Sequence, residues 1–544
     1  MSIAEGNLKS TSVNTPNRNR GWKSTHAMTS GKWYWEVYFN SSASDNNGGI
    51  GVSGSSDPIA VVGETSDSTG FRYMDAGVFR QDGTNSSTIT AIAAGDIVMV
   101  ALDIDNGKAW VGKNNSWFSS GNPSGDSNPI TTTVPSEAFA TSYHYANNSV
   151  QTFNFGQDSS FAGAKTAQGN ADGNGKGDFY YSPPTGFLAL CSDNLPDTTI
   201  SPSKNEQATD YFNTVLYTGN ASTNAITGVG FQPDWVWSKR RNASGSHNFW
   251  DSSRGTTKLI FPDAGSVTEK TVSGLTSFDS DGFTMGSEVT YSSNISGSTY
   301  VAWNWKINGG TTSSNTEGSL TCTTQASTEA GISIVTWTGD GNASVTLGHG
   351  LEAKPELIIY MGLDNTYEHP TWYKTFGTST GSFISTSNQP GAFARVQSEP
   401  TDTLIPNAAK DYTNVLNEDN IAYVFHSVDG FSKISQYTGN NSTNGTTVYT
   451  GFRPAWLMLK RSSGSGGWQI LDSKRNTTNA VDIYFTADGS HGEVDGSGLS
   501  PAINVDFLSN GFKLRTTEAV YNSSAGTFIY MAFAEQPFKF SNAR

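Results

Sequence analysis

Apolar and polar positions alternate over short runs along this chain. Residues 31–39, GKWYWEVYF, alternate as a half-buried strand does. Residues 96–103, DIVMVALD, form a second strong strand that passes through Asn106-Gly107 into Lys108-Ala109-Trp110-Val111. An Asn-Gly pair between two such runs predicts a hairpin. Gly49-Ile50-Gly51-Val52 adds a strand after a turn. Further along, Trp235-Val236-Trp237 and Leu357-Ile358-Ile359-Tyr360 are β-rich runs bounded by Pro, Gly and polar clusters. Residues 278–283, FDSDGF, and 507–512, FLSNGF, read as tight turns, because Gly and Asn tolerate positive φ. No segment keeps a helical period over three turns, and no heptads occur, so no helical stalk is encoded. Residues 309–329 are rich in Thr and Ser and almost without apolar side chains, which predicts a linker or a solvated loop. The pattern predicts an all-β chain of tandem β-sandwich or jelly-roll domains.

The chain also repeats itself. YTGNASTN at Tyr217 returns as YTGNNSTN at Tyr437. Each is followed by Gly-Phe-x-Pro-x-Trp, ending at Trp235 and Trp456, and then by Lys239-Arg240 and Lys460-Arg461. Asp251-Ser252 with Arg254, and Asp472-Ser473 with Arg475, keep the same offsets. A weaker third copy lies between them. There Trp337-Thr338-Gly339-Asp340 stands for YTGN, residues 354–360 match the Pro-x-Trp strand, and Trp372 is set level with Phe249 and Trp468. The implied organisation is an N-terminal β-sandwich over 1–196, a module over 207–308, a linker over 309–329, a divergent module over 330–433, and a last module over 434–544.

Composition narrows the function classes. Charged residues make up 15% of the 544, and Lys+Arg 33 against Asp+Glu 48 leaves a net charge of −15. Phosphate contacts need a basic surface, so nucleic-acid binding is not expected. No apolar run is long enough to cross a membrane as a helix, and the polar first twenty residues show no secretory signal. Cys191 and Cys322 stand far apart, which leaves no disulfide framework and no Cys-based zinc site.

The first domain resembles a SPRY domain. The resemblance rests on GKWYWEV (31–37), GIGV (49–52), GDIVMVALDIDNGKAWVGKNNSW (95–117), FNFGQ (153–157) and PPTGF (183–187). It implies a concanavalin-like sandwich that binds through rim loops and carries no catalytic machinery. The later modules resemble β-domains that follow SPRY-like domains in virion structural proteins of tailed bacteriophages, on FNTVLYTGN (212–220), GVGFQPDWVWSK (228–239), FDSDGFTMG (278–286) and YVAWNWK (300–306). This implies a tail fibre or tail-tip protein that contacts the host surface. Its expected partners are other virion proteins and a host cell-surface glycan or protein, and its expected state is a homo-oligomer, trimer or hexamer. It would be made in the host cytoplasm and released by lysis as part of the virion. A capsid decoration or head fibre protein, and a polysaccharide depolymerase, stay open as alternatives.

No motif assembles a catalytic site, and no cofactor is expected. The seven histidines show no ligand spacing, and no HExxH, Gly-x-Ser-x-Gly or phosphate-cradling loop occurs. Carboxylates are plentiful, so a glycosidase pair stays open, with solvated surface acids the plainer reading. The Asp-Ser-x-Arg pairs are either ligand contacts or a salt bridge built into each module, and their repetition favours the bridge. Trp235 and Trp456 read as core. Residues 170–178, NADGNGKGD, have the oxygen density of a calcium loop but place Tyr181 where a bidentate Glu is needed, so a flexible loop is expected. Candidate binding residues are aromatics in polar stretches: Trp117 and Phe118 after the Asn-Gly hairpin, and Tyr143, His144 and Tyr145. Amphipathic rings suit carbohydrate or protein recognition, though each alone fits a core position equally well.

Overall fold

A computed structural model describes residues 2–4, 6, 8–12, 20–41, 48–54, 70–144, 149–265, 267–408 and 410–540. The chain is all-β and divides into two compact units, Met1–Pro196 and Asp197–Arg544. Among the described residues, α-helix is confined to the four-residue turns Lys410–Thr413 and Ala519–Asn522.

The first unit is a sandwich of two sheets. One holds Lys32–Ser41 between Val150–Asn154 and Ile97–Asp103, and the other holds Ala138–His144 between Arg20–Lys23 and Gly49–Gly54. The Asn106-Gly107 hairpin forms as expected, with the Asp103 carboxylate accepting from the Asn106 backbone N–H at 3.1 Å and side-chain Nδ2 at 2.9 Å. The glycines of GIGV have a steric cause, since a Cβ on Gly51 would lie 2.0 Å from the Phe71 carbonyl oxygen. Strand Lys32–Ser41 is not half-buried, as the alternation predicts, but buried on both faces. Phe179, Phe187 and Ala189, from the chain after Val150–Asn154, which ends in the short parallel strand Leu188–Ala189 beside Lys32–Ser41, cover Tyr34, Met99, Ala101 and Trp110. Glu36 fastens that cover. It is fully buried and accepts from Tyr180 N at 2.9 Å, Tyr181 N at 2.7 Å, Tyr34 Oη at 3.0 Å and Asn154 Nδ2 at 3.2 Å.

In the second unit each copy builds the same sheet, with its strands in the order first, last, second, third. These are Phe212–Thr218, Thr299–Trp305, Trp235–Arg240 and Asn248–Asp251 in the first copy. They are Ile332–Thr338, Asp419–Phe425, Leu357–Gly362 and Pro370–Tyr373 in the middle copy. In the last they are Ser432–Thr438, Thr527–Pro537, Phe452–Arg461 and Gln469–Asp472. The hairpin turns at 280–281 and 509–510 form as predicted, in small second sheets. Strand alternation then sends side chains two ways. In the first copy Val236, Trp250 and Tyr300 enter a core private to the module, while Trp235, Trp237, Phe249, Trp303 and Trp305 enter a core shared by all three copies. The Trp235 ring stacks on Tyr423 of the middle copy at 4.8 Å, and Trp305 meets Trp456 of the last at 5.8 Å. A run such as Trp-Val-Trp is apolar throughout because both of its faces are buried.

The register also corrects the alignment of the divergent copy. Trp235, Leu357 and Trp456 are equivalent, opposite Asp251, Tyr373 and Asp472. Trp372 therefore falls level with Trp250 rather than Phe249, and Trp468 falls level with His247. The xTGN signature has its own partner. A buried Asn late in each copy, Asn294, Asn414 or Asn522, donates to the side-chain oxygen of Asn220 (3.1 Å), Asp340 (2.7 Å) or Asn440 (3.1 Å) and accepts from the same residue's N–H.

Three equivalent hydrogen bonds close the copies into a ring. His247 Nε2 meets Thr486 O of the last copy at 3.0 Å, Trp468 Nε1 donates to Phe383 O of the middle copy at 2.9 Å, and His369 Nε2 meets Phe261 O of the first at 3.0 Å. The sheets are therefore not strung out as separate tandem domains, as the repeat alone implies. Residues 309–329 are likewise not a linker. They carry strands Ser313–Asn315 and Cys322–Ser327, which extend the middle sheet at its edge. Their polarity misled the reading because an edge hairpin with one open face needs few apolar residues. The true junctions are pinned by carboxylates. Fully buried Asp234 accepts from the N–H groups of Ile307, Asn308, Gly309 and Gly310, and Glu356 accepts from Ser427 N.

Candidate functional site

The residues singled out by sequence do not converge. Trp117 is half-buried and packs edge-on to Tyr34 at 6.5 Å, and Phe118 packs edge-on to Tyr73 at 5.3 Å. Tyr143 and His144 are not loop residues. They lie on strand Ala138–His144, each 1% exposed. The Arg72 guanidinium sits 4.8 Å from the Tyr143 ring centroid, and His144 Nε2 is 2.8 Å from Ser10 Oγ. Burial lowers the His144 pKa to about 4, so the imidazole is neutral. A strand paired on both sides inside the sandwich leaves these rings no route to a ligand, and the polar stretch that follows them gave the misleading signal. Tyr145 lies outside the described residues.

The repeated polar residues are structural. Asp251 and Arg254 pair at 2.6 Å and Asp472 and Arg475 at 2.5 Å, with all four side chains at most 5% exposed. Each Asp also accepts from a neighbouring copy: Tyr423 Oη donates to Asp251 at 2.8 Å and Trp303 Nε1 to Asp472 at 3.1 Å. Trp235 and Trp456 are fully buried core. In the residue 170–178 loop, the Asp172 carboxylate takes N–H groups of Asn174, Lys176 and Ala189 and the Asn194 side-chain amide. Partial burial opposes ionisation there, but these donors outweigh it and hold the pKa below the ordinary range. The loop is thus tied down by its acid rather than flexible. Among the described residues no three His, Cys, Asp or Glu side chains are grouped to hold a metal.

What sequence reading missed is a groove of about 480 Å³ at the seam between the first and middle copies. It exists because the middle sheet alone continues past its first repeated strand, into the 313–327 hairpin. Across that sheet one row of paired residues runs Met361, Ile421, Thr336, Thr323, Ser314. Its first two members are buried, Thr336 is half-buried, and Thr323 and Ser314 are exposed. The adjacent row on the same face carries the seam: Tyr423 reaches Asp251, and Gln325 Oε1 accepts from Ser252 Oγ at 3.0 Å and Ser253 Oγ at 2.6 Å. The facing wall is a charge chain from the first copy, in which Glu269 binds Arg254 at 2.8 Å and Lys258 at 2.9 Å. Glu269 N also donates to Leu363 O at 2.8 Å, which fixes wall against floor. Among the described residues the hydroxyls of Ser314, Thr321, Thr323 and Thr336 have no protein partner. Glu269 is occupied by two cations and Asp419 by the Thr338 hydroxyl at 2.7 Å. The lining therefore offers hydrogen-bond donors and acceptors, without a base beside a nucleophile. The available signal was the 309–329 segment itself, a polar insertion in one copy of a repeat.

Residues 207–537 match a family model described as a domain of unknown function, DUF7483. No curated protein matches the chain. Among solved structures, the SPRY domain of human HERC1 is similar at 19% identity over 25% of this chain and 83% of that one, with a TM-score of 0.21. A human SPRY domain is similar at 12% identity over 28% and 92%, with a TM-score of 0.23. Stonustoxin is similar at 18% identity over 28% and 24%, with a TM-score of 0.21.

Proposed function

The chain belongs to the DUF7483 family, and we propose that it is a non-enzymatic structural protein of a tailed-bacteriophage virion, a tail fibre or tail-tip component that meets the host surface. The observation that carries this reading is where the chemistry-bearing residues go. The recurring Asp, Arg, Lys and His side chains are committed to module turns and seams, as in a scaffold, and the groove at the first seam is lined for binding. The family resemblance in the sequence supplies the virion setting and the expected partners, other virion proteins and a host glycan or protein. Immunogold labelling of intact particles tests the location: gold confined to tails supports the reading, and gold over the capsid surface replaces it with a head decoration protein. Incubation with host polysaccharide is expected to release no reducing ends. Turnover abolished by one Asp or Glu substitution overturns the non-enzymatic part.

A further inference from the structure

We propose that the groove between the 313–327 hairpin and the Arg254–Lys258–Glu269 wall binds a neutral polyhydroxylated ligand, a segment of an uncharged glycan. The inference deepens the surface-contact reading above and rests on it for the presence of such a ligand.

The hairpin belongs to neither flanking copy of the repeat. The first and last sheets end at Phe212–Thr218 and Ser432–Thr438, where the middle sheet goes on by two strands. Those strands bury little apolar surface, since only Cys322, Thr324 and Gln325 are buried among their residues. Ordering the nine residues of these two strands for so little burial is a net cost to folding. What the hairpin adds is a floor of hydroxyls held on paired strands, with Gln325 locking it to Ser252 and Ser253 across the seam.

The lining chooses the ligand class. Arg254 and Lys258 balance Glu269 and Asp419, so the groove carries no net charge for an anion or a cation to answer. Arg254 is 5% exposed and already spent on Asp251 and Glu269, which leaves the Lys258 ammonium as the accessible cation, beside a carboxylate. An anionic ligand meets Glu269 there. An apolar ligand strands the four unpartnered hydroxyls. Hydroxyl groups both donate and accept, so a ligand dense in hydroxyls satisfies Ser314, Thr321, Thr323 and Thr336 together with Lys258 and Glu269. The volume lies within the range of about 300–1,000 Å³ seen for small-ligand sites. An added peptide strand would need a long free edge, and Ser313–Asn315 offers three residues.

The test is affinity electrophoresis of the purified full chain through gels containing dextran, mannan, galactan or, as the anionic control, polygalacturonate. Retardation by at least one neutral polymer is expected, with apparent affinity reduced at least tenfold in the double variant Thr323→Val, Thr336→Val. Thr321→Trp, at an exposed position, fills the groove without touching the core and is expected to abolish retardation; it serves if the double variant misfolds. Retardation by polygalacturonate alone, no retardation in any gel, or retardation unchanged in both folded variants overturns the proposal. The assay uses no particles, so its failure leaves the gold-labelling result standing, and the reverse holds equally.

Discussion

Removing the carboxylate at one seam should cost far more than removing its repeat-mate at another. Asp472 is fully buried and is the carboxylate bonded to Arg475, whose own side chain is 0% exposed and packed over Phe485 with 4.5 Å from guanidinium to ring centroid. Asp472→Ala strands that cation, and breaking a buried pair from one side costs about 3–5 kcal/mol. The same change takes the acceptor from Trp303 Nε1 in the shared core, a further cost of about 1–3 kcal/mol for an orphaned buried donor. Asp251→Ala is milder for a reason visible in the structure: Arg254 keeps Glu269 at 2.8 Å. What remains there is mainly the orphaned Tyr423 hydroxyl, about 1–3 kcal/mol.

The assay is equilibrium denaturation of the full chain in urea, followed by tryptophan fluorescence. Asp472→Ala should lower the midpoint of the transition that exposes the Trp-rich core about three times as much as Asp251→Ala. Equal shifts, or a larger loss from Asp251→Ala, would refute the account of Glu269 as a second partner. The double change Asp251→Ala, Glu269→Gln should close the gap, because it strands Arg254 as fully as Asp472→Ala strands Arg475.

Burial lowers the Lys460 pKa to about 8 against an ordinary value of about 10.4, so the folded state holds fewer protons than the unfolded chain between those limits and stability should rise with pH from about 8 to 10. Lys460→Met, the residue the middle copy carries at Met361, should flatten much of that rise in a series of urea midpoints. Above about pH 10 the trend should reverse, because burial holds Tyr437 and Tyr521 well above the value at which an unfolded chain's tyrosines ionise. In the first unit, Tyr143→Ala should cost about 3–5 kcal/mol of stability, as loss of a buried ring does, and should act on adsorption to cells only through the fraction unfolded. A circular permutant of the second unit that starts at the middle copy keeps the cyclic order and should retain the native near-ultraviolet dichroism. A chain with middle and last copies exchanged should not.

The all-β class, the repeat and the tight turns were legible because each is a local statement: period two, an Asn-Gly pair, a fixed offset from Trp235 to Lys239 and from Trp456 to Lys460. The destinations of side chains were not. Tyr143 and Trp117 carry similar polar surroundings in sequence, yet one is sealed between paired strands and the other half-covered at the end of a hairpin. Glu36 sits in a run that reads as strand alone, and nothing local announces that Tyr180 and Tyr181 will return to it. The ring escaped for a similar reason. Its closing bonds join His247 to Thr486 and Trp468 to Phe383, partners chosen by packing rather than by offset. The groove escaped because a segment without apolar pattern looks like a spacer, whereas here it is an edge hairpin.

The polar seams also explain why the copies differ. At the position of Asp251 and Asp472 the middle copy has Tyr373, and at the position of the donors Trp303 and Tyr423 the last copy has Met531. Around the ring each donor belongs to the copy that faces the acceptor, so the place due to be shared by Met531 and Tyr373 loses the carboxylate and its facing donor together. The lysine position follows suit, with Lys239 and Lys460 in two copies and Met361 in the third. Buried charge pairs rarely stabilise more than apolar residues of the same volume, so two polar seams are poorly explained by stability. They do discriminate between neighbours. With middle and last copies exchanged, Asp251 would face Met531 and be left with a buried acceptor unanswered, Trp303 would face Tyr373 and lose its carboxylate, and Asp472 alone would still meet a donor, in Tyr423. Three similar sheets could close in two cyclic orders, and the unlike seams make one of them costly.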